Sequence, residues 1–93
     1  MNGANDELAR RRRQLRFRSW HRGTREMDLL LGRFADAHLD AFGSGQLDLF
    51  ARLLENSDPD IYDWIGGQVP VPADRDSEIL RLLRDFTLGR GRT

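Results

Sequence analysis

The stretch Met27–Phe42, MDLLLGRFADAHLDAF, decides the fold. Met27, Leu30, Leu31, Phe34, His38 and Phe42 recur at intervals of three and four, the spacing that gathers side chains on one face of an α-helix. No clean period-two run competes with it anywhere in the chain. The pattern predicts a helix over about residues 24–42, closed by Gly43-Ser44-Gly45, where glycine accommodates the left-handed backbone of a helix end.

The same period continues in both directions. Downstream, a helix over about residues 46–56 turns Leu47, Phe50, Leu53 and Leu54 inward, with Ser44 as its N-cap. Ser57-Asp58-Pro59-Asp60 reads as a stop and restart, Asp58 capping and Pro59 at the first helical position, where a missing N–H costs nothing. The short helix that follows presents Ile61, Trp64 and Ile65 before Gly66-Gly67. Residues 68–73, with Pro70 and Pro72, form an extended connection. A last helix starts near Asp74 or Asp76, runs to about Leu88 and directs Ile79, Leu82, Leu83 and Phe86 to the core. Upstream, Gly23 interrupts the pattern, and a first helix over about residues 6–19 uses Leu8, Leu15, Phe17 and Trp20 as its apolar contacts. Its stripe is thin, so it should pack by one edge and keep its arginines in water. The expectation is an all-α, compact five-helix bundle: a single domain over residues 6–88 between a disordered N-terminus (1–5) and a loose tail (89–93).

Composition sets limits on function. Ninety-three residues, 39% hydrophobic, make one domain with no room for a second lobe around a large cleft. The absence of cysteine excludes a disulfide framework, a thiolate metal site and a cysteine nucleophile. No apolar run reaches the roughly 18 residues that would suggest a membrane span, so no membrane insertion is expected. The net charge of zero hides an asymmetry: all fifteen basic residues are arginine, and eight of them precede Glu26 against only Asp6 and Glu7. A basic arm thus leads into an acidic body. The arm lacks the apolar segment of a secretory signal, and its two acids count against a mitochondrial presequence, which leaves the cytoplasm as the expected location.

Enzyme chemistry finds little to stand on. The two histidines, His21 and His38, have no third ligand in a metal-binding spacing, and no phosphate loop or dinucleotide fingerprint is present. Ser19, Ser44, Ser57 and Ser77 read as cap or turn residues. No catalytic residue and no metal site are expected.

Two charged features remain. The arm RRRRQLRFRSWHR, residues 10–22, reads as a solvated helix face with two aromatics tucked into the core, as a surface for an acidic protein, or as a nucleic-acid module whose Phe17 and Trp20 stack on bases. The acidic body argues against nucleic acid. At residues 22–28, Gly23 as N-cap would place Glu26 at N3, where its carboxylate reaches the free N–H groups. The same geometry crowds Arg22, Arg25, Glu26 and Asp28 onto one exposed helix start, where an arginine fork suits a complementary surface. The residues alone leave capping and partner binding equally open.

The string Arg22-Gly23-Thr24-Arg25-Glu26-Met27-Asp28 resembles the RGxxE signature of succinate dehydrogenase FAD assembly factors. Three further blocks, QLDLFARLLE (46–55), DPDIYDW (58–64) and ILRLLRDF (79–86), resemble the same family in the same order. The resemblance covers roughly residues 15–88. It implies a small five-helix protein, not an enzyme, that binds the flavoprotein subunit of succinate dehydrogenase or the related fumarate reductase and promotes covalent attachment of FAD to it. It implies that FAD belongs to the partner and that this chain holds no cofactor stably. Carried over residue by residue, the partner-binding motif is Arg22, Gly23 and Glu26, with Arg25 and Asp28 matching the bacterial form. A bacterial cytoplasmic protein, monomeric when free, is the expectation, with the mitochondrial matrix less favoured; the alternative is a nucleic-acid-binding or regulatory module built on the arginine-rich helix.

Overall fold

A computed structural model describes residues 3–89 of the chain. Five helices follow one another: α1 (Gly3–Trp20), α2 (Arg25–His38), α3 (Ser44–Leu54), α4 (Asp58–Gly66) and α5 (Glu78–Thr87). Short 3-10 turns at Leu39–Ala41 and Ala73–Arg75 complete the secondary structure, and no strand occurs among the described residues. The first helix starts at Gly3, earlier than its apolar pattern suggests. The expectations for residues 1–2 and 90–93 lie outside the described residues.

The stripe on α2 builds the core. Met27, Leu31 and Phe34 are buried, and the stripe reaches beyond the helix through the buried Phe42. Phe34 is the hub of an aromatic cluster, with ring centroids 4.7 Å from His38, 5.6 Å from Phe50, 5.6 Å from Phe86 and 6.2 Å from Phe42. Burial lowers the His38 pKa, which favours the neutral imidazole within the aromatic cluster. The helix is shorter than the periodicity predicts: it ends at His38, and Leu39–Ala41 tighten into a 3-10 turn. On α5, Ile79, Leu80 and Leu83 are buried, whereas Leu82, expected inside, is only partly covered.

The starts of α3, α4 and α5 fall near their expected residues, each with a different N-cap. Gly43, not Ser44, is the N-cap of α3, and Gln46 Oε1 accepts from the Gly43 N–H at 3.0 Å. Ser57, not Asp58, caps α4 by accepting from the Asp60 N–H, which shifts Pro59 to the second helical position. Ser77 caps α5 by accepting from the Leu80 N–H, while Asp74 lies in the preceding 3-10 turn. An N-cap needs extended backbone, which glycine supplies freely and to which Ser adds an oxygen for an N–H two or three residues on; where two capable residues adjoin, tertiary packing chooses between them.

α1 departs most from expectation. It docks through Leu8, Leu15 and Ser19, whose hydroxyl donates to the Leu15 carbonyl at 2.7 Å inside the helix, not in a turn. Phe17, expected among the apolar contacts, is 63% exposed, because two residues beyond Leu15 is about 200° around the helix. Nor do all the arginines stay in water. Arg12 donates to the carbonyls of Leu39 and Phe42, Arg11 pairs with Asp48, and Arg16 reaches Asp36 and Asp40. Trp20 lies directly on α2: a Cβ at the buried Gly32 would stand only 2.2 Å from the nearest atom of the indole ring. Glycine within a helix costs about 1 kcal/mol relative to alanine, and here that cost permits the ring to lie against the backbone.

Candidate functional site: the turn between α1 and α2

Residues 21–24 carry the chain from α1 into α2. Gly23 has φ +116°, outside the range open to L side chains, yet nothing lies within 4 Å of where its Cβ would be. The requirement for glycine is therefore in the backbone, not in crowding. Asp28 closes the turn from the other side: its Oδ1 accepts from the Arg22 N–H at 2.5 Å and the Gly23 N–H at 3.3 Å.

Because Gly23 takes this conformation, the N-cap moves to Thr24, whose φ −125° and ψ 147° are extended and whose Oγ1 accepts from the Met27 N–H at 3.3 Å. The expected Gly23 cap with Glu26 at N3 is thus corrected: Glu26 is the second helical residue. Its carboxylate still sits in the first turn, as does that of Asp28, where the helix dipole favours negative charge.

Arg22 is not an exposed fork. Its side chain is 12% exposed, and its guanidinium donates to Asp58 Oδ1 at 2.8 Å, the Leu54 carbonyl at 2.6 Å and the Asn56 carbonyl at 2.8 Å. Leu54 is the last residue of α3, so a cation here satisfies an open helix end. The Asp58 carboxylate, expected as a cap, serves as the ion-pair partner. Arg22 thereby fastens the α1–α2 turn to the α3–α4 junction, which Arg75 grips from another side through the Asn56 side chain.

The five expected site residues therefore divide. Arg22, Asp28 and the Gly23 backbone hold the turn together. Arg25 and Glu26 are exposed and have no hydrogen bond or ion pair among the described residues. Beside them lies an open depression lined by Thr24, Glu26, Met27, Pro59, Tyr62 and Asp63. Tyr62, 48% exposed, was not singled out from the sequence; it lies off the buried face of α4 formed by Ile61, Trp64 and Ile65, which is the signal that could have found it.

His21 Nδ1 lies 2.7 Å from the Phe17 carbonyl, and His38 belongs to the core. Among the described residues, no group of three or more His, Cys, Asp or Glu could hold a metal ion, and no helix is long and apolar enough to cross a membrane.

Comparison with known proteins gives a consistent result. A family model described as flavinator of succinate dehydrogenase matches residues 13–87. The chain is 40% identical over 89 residues to the FAD assembly factor SdhE of Acetobacter pasteurianus, covering 95% of this chain and 82% of that protein. It is 36% identical over 84 residues to the mitochondrial succinate dehydrogenase assembly factor 2 of Dictyostelium discoideum, covering 90% of this chain and 60% of the relative. The corresponding factor of Meyerozyma guilliermondii is 46% identical over 76 residues, with 76% of this chain and 56% of the relative covered. The chain thus spans most of the bacterial relative and less than two thirds of these mitochondrial ones.

Proposed function

The chain belongs to the family of succinate dehydrogenase flavinators, and on that premise we propose that Arg25 and Glu26, presented by the α1–α2 turn, bind the flavoprotein subunit and promote covalent attachment of FAD to it. The observation that carries this reading is the division of labour in the turn. Arg22 and Asp28 are committed to internal hydrogen bonds, while Arg25 and Glu26 have none and face solvent on the same helix start. A charged pair on an immobile base binds with little ordering cost, since its backbone is already fixed.

The reaction asks no catalytic group of this chain. FAD belongs to the flavoprotein, and the assembly factor acts by binding one conformer of its client more tightly than the others, raising the population in which the flavin attaches. Such a helper needs an accessible, rigid surface and must be able to leave. The protein works as a monomer in the bacterial cytoplasm, retaining no cofactor of its own.

The test reverses the two exposed charges. Arg25→Glu and Glu26→Arg should abolish support for covalent flavinylation, read as flavin fluorescence of the flavoprotein band on a denaturing gel. Their unfolding free energy should stay within about 1 kcal/mol of the parent, because neither side chain has a hydrogen-bonded partner to lose and only the modest interaction of residue 26 with the helix dipole is reversed. Normal flavinylation by both variants would show that the site is elsewhere.

A further inference from the structure

The arginine arm separates into two sets once its partners are traced. Arg10 pairs with Glu7, Arg11 with Asp48, Arg12 with the carbonyls of Leu39 and Phe42, and Arg16 with Asp36 and Asp40. Arg13 and Arg18 are exposed and have no such partner among the described residues. They share the outward face of α1 with Gln14, Phe17 and His21, since positions 13, 17 and 21, like 14 and 18, are four apart. Phe17 is 63% exposed, and its ring stacks on the His21 imidazole at 4.0 Å between centroids, 21° from parallel. Beside it runs an open groove walled by Arg13, Gln14 and Arg18, with Ala51 of α3 on its other side.

We infer that this face is a second docking surface, for an acidic segment of the same flavoprotein client that carries an apolar side chain. The inference rests on the reading above. Charge complementarity sets the polarity of the occupant: two unpaired guanidiniums flank an exposed ring, a pairing of the residue types over-represented in interface cores. Continuity places it on the same client, because His21 is followed directly by Arg22 and the turn that presents Arg25 and Glu26. Area gives the reason for it: a stable interface covers about 800 Å² on each partner, more than the exposed residues 23–26 can supply. A nucleic acid fits less well. Affinity for phosphates grows with the number of them neutralised, and four of the six arginines between residues 10 and 18 are already engaged within the protein.

The experiment measures binding of the full chain to the FAD-free flavoprotein subunit by calorimetry at low and high salt, with circular dichroism as the control for folding. Phe17→Ala and the double variant Arg13→Glu/Arg18→Glu should each weaken binding by about tenfold or more, and the double variant should also flatten its salt dependence. A charge-neutral Arg13→Gln/Arg18→Gln variant should fall between it and the parent. If these variants bind like the parent while Glu26→Arg does not, the second surface is refuted and the motif reading stands. If the parent itself fails to bind the flavoprotein, both fall. If the reversed arginines lose binding to a single-stranded oligonucleotide but not to the flavoprotein, the face serves nucleic acid and the inference is overturned.

Discussion

Two connections in this molecule contain a glycine with positive φ, Gly23 at +116° and Gly67 at +78°, and they are held very differently. The first spans residues 21–24 and is gripped by five hydrogen bonds, three donated by the Arg22 side chain and two accepted by Asp28. The second runs over residues 67–77 and is exposed through Pro70; Val71 is partly buried, and among the described residues its side-chain ties to other elements come near its end, through Arg75, Asp76 and Ser77. Length does not explain the contrast, since either segment could be a plain solvent-exposed link. The difference lies in where the side chains reach. Arg22 bonds atoms of Leu54, Asn56 and Asp58, so the short turn cannot move without disturbing two other helices. A base of that kind suits the binding role proposed for Arg25 and Glu26, because groups held in place lose less freedom when a partner arrives.

Breaking the ties of the first connection should have the largest effect. Arg22→Met removes an ion pair and two carbonyl caps at a mostly buried site and should lower the unfolding free energy by about 2–4 kcal/mol in a urea titration. A loss under about 0.5 kcal/mol would mean that the turn is not anchored by this residue. Next comes Gly23. Because open space surrounds the missing Cβ, Gly23→Ala and Gly23→Arg should lose the same stability, about 1–3 kcal/mol from backbone strain alone. Both should remain helical by circular dichroism, and the arginine variant should no longer support flavinylation. A much larger loss for arginine than for alanine would point to a steric clash instead. The smallest effect belongs to the second connection: Gly-Ser inserted between Val69 and Pro70 should cost less than about 0.5 kcal/mol in the same titration. The same insertion after Gly23 should cost several times more, and equal costs would erase the contrast.

The helices were legible in the sequence because burial imposes a period. Met27, Leu31, Phe34 and Phe42 declare one buried face without reference to any other segment. What could not be read depends on contacts between residues distant in sequence. Arg12 lies 27 and 30 positions from the carbonyls it binds, and Arg22 lies 32 to 36 from its partners, so an arginine holding a helix end looks like an arginine in water. Arg84 repeats the device, donating to the Trp64 carbonyl on the final turns of α4. The break in the helical pattern at Gly23 was legible; the need for glycine at residue 32 was not, since only the Trp20 ring lying across α2 reveals it. At the site, the grouping of Arg22, Gly23, Arg25, Glu26 and Asp28 at one helix start could be read from spacing. Their division into buried support and exposed charge could not, because it is set by the α3–α4 junction.

The placement of the two tryptophans gives the protein a pair of built-in optical probes. Trp20, partly exposed, lies across α2 with its indole N–H directed to Asp36 at 3.4 Å, while Trp64 is sealed in the core at 5% exposure. Indole emission shifts with the polarity around the ring, so replacing Trp64 with phenylalanine leaves a single emitter at the end of α1. Its colour then reports on the contact between the end of α1 and the Gly32–Asp36 stretch of α2, with no attached dye.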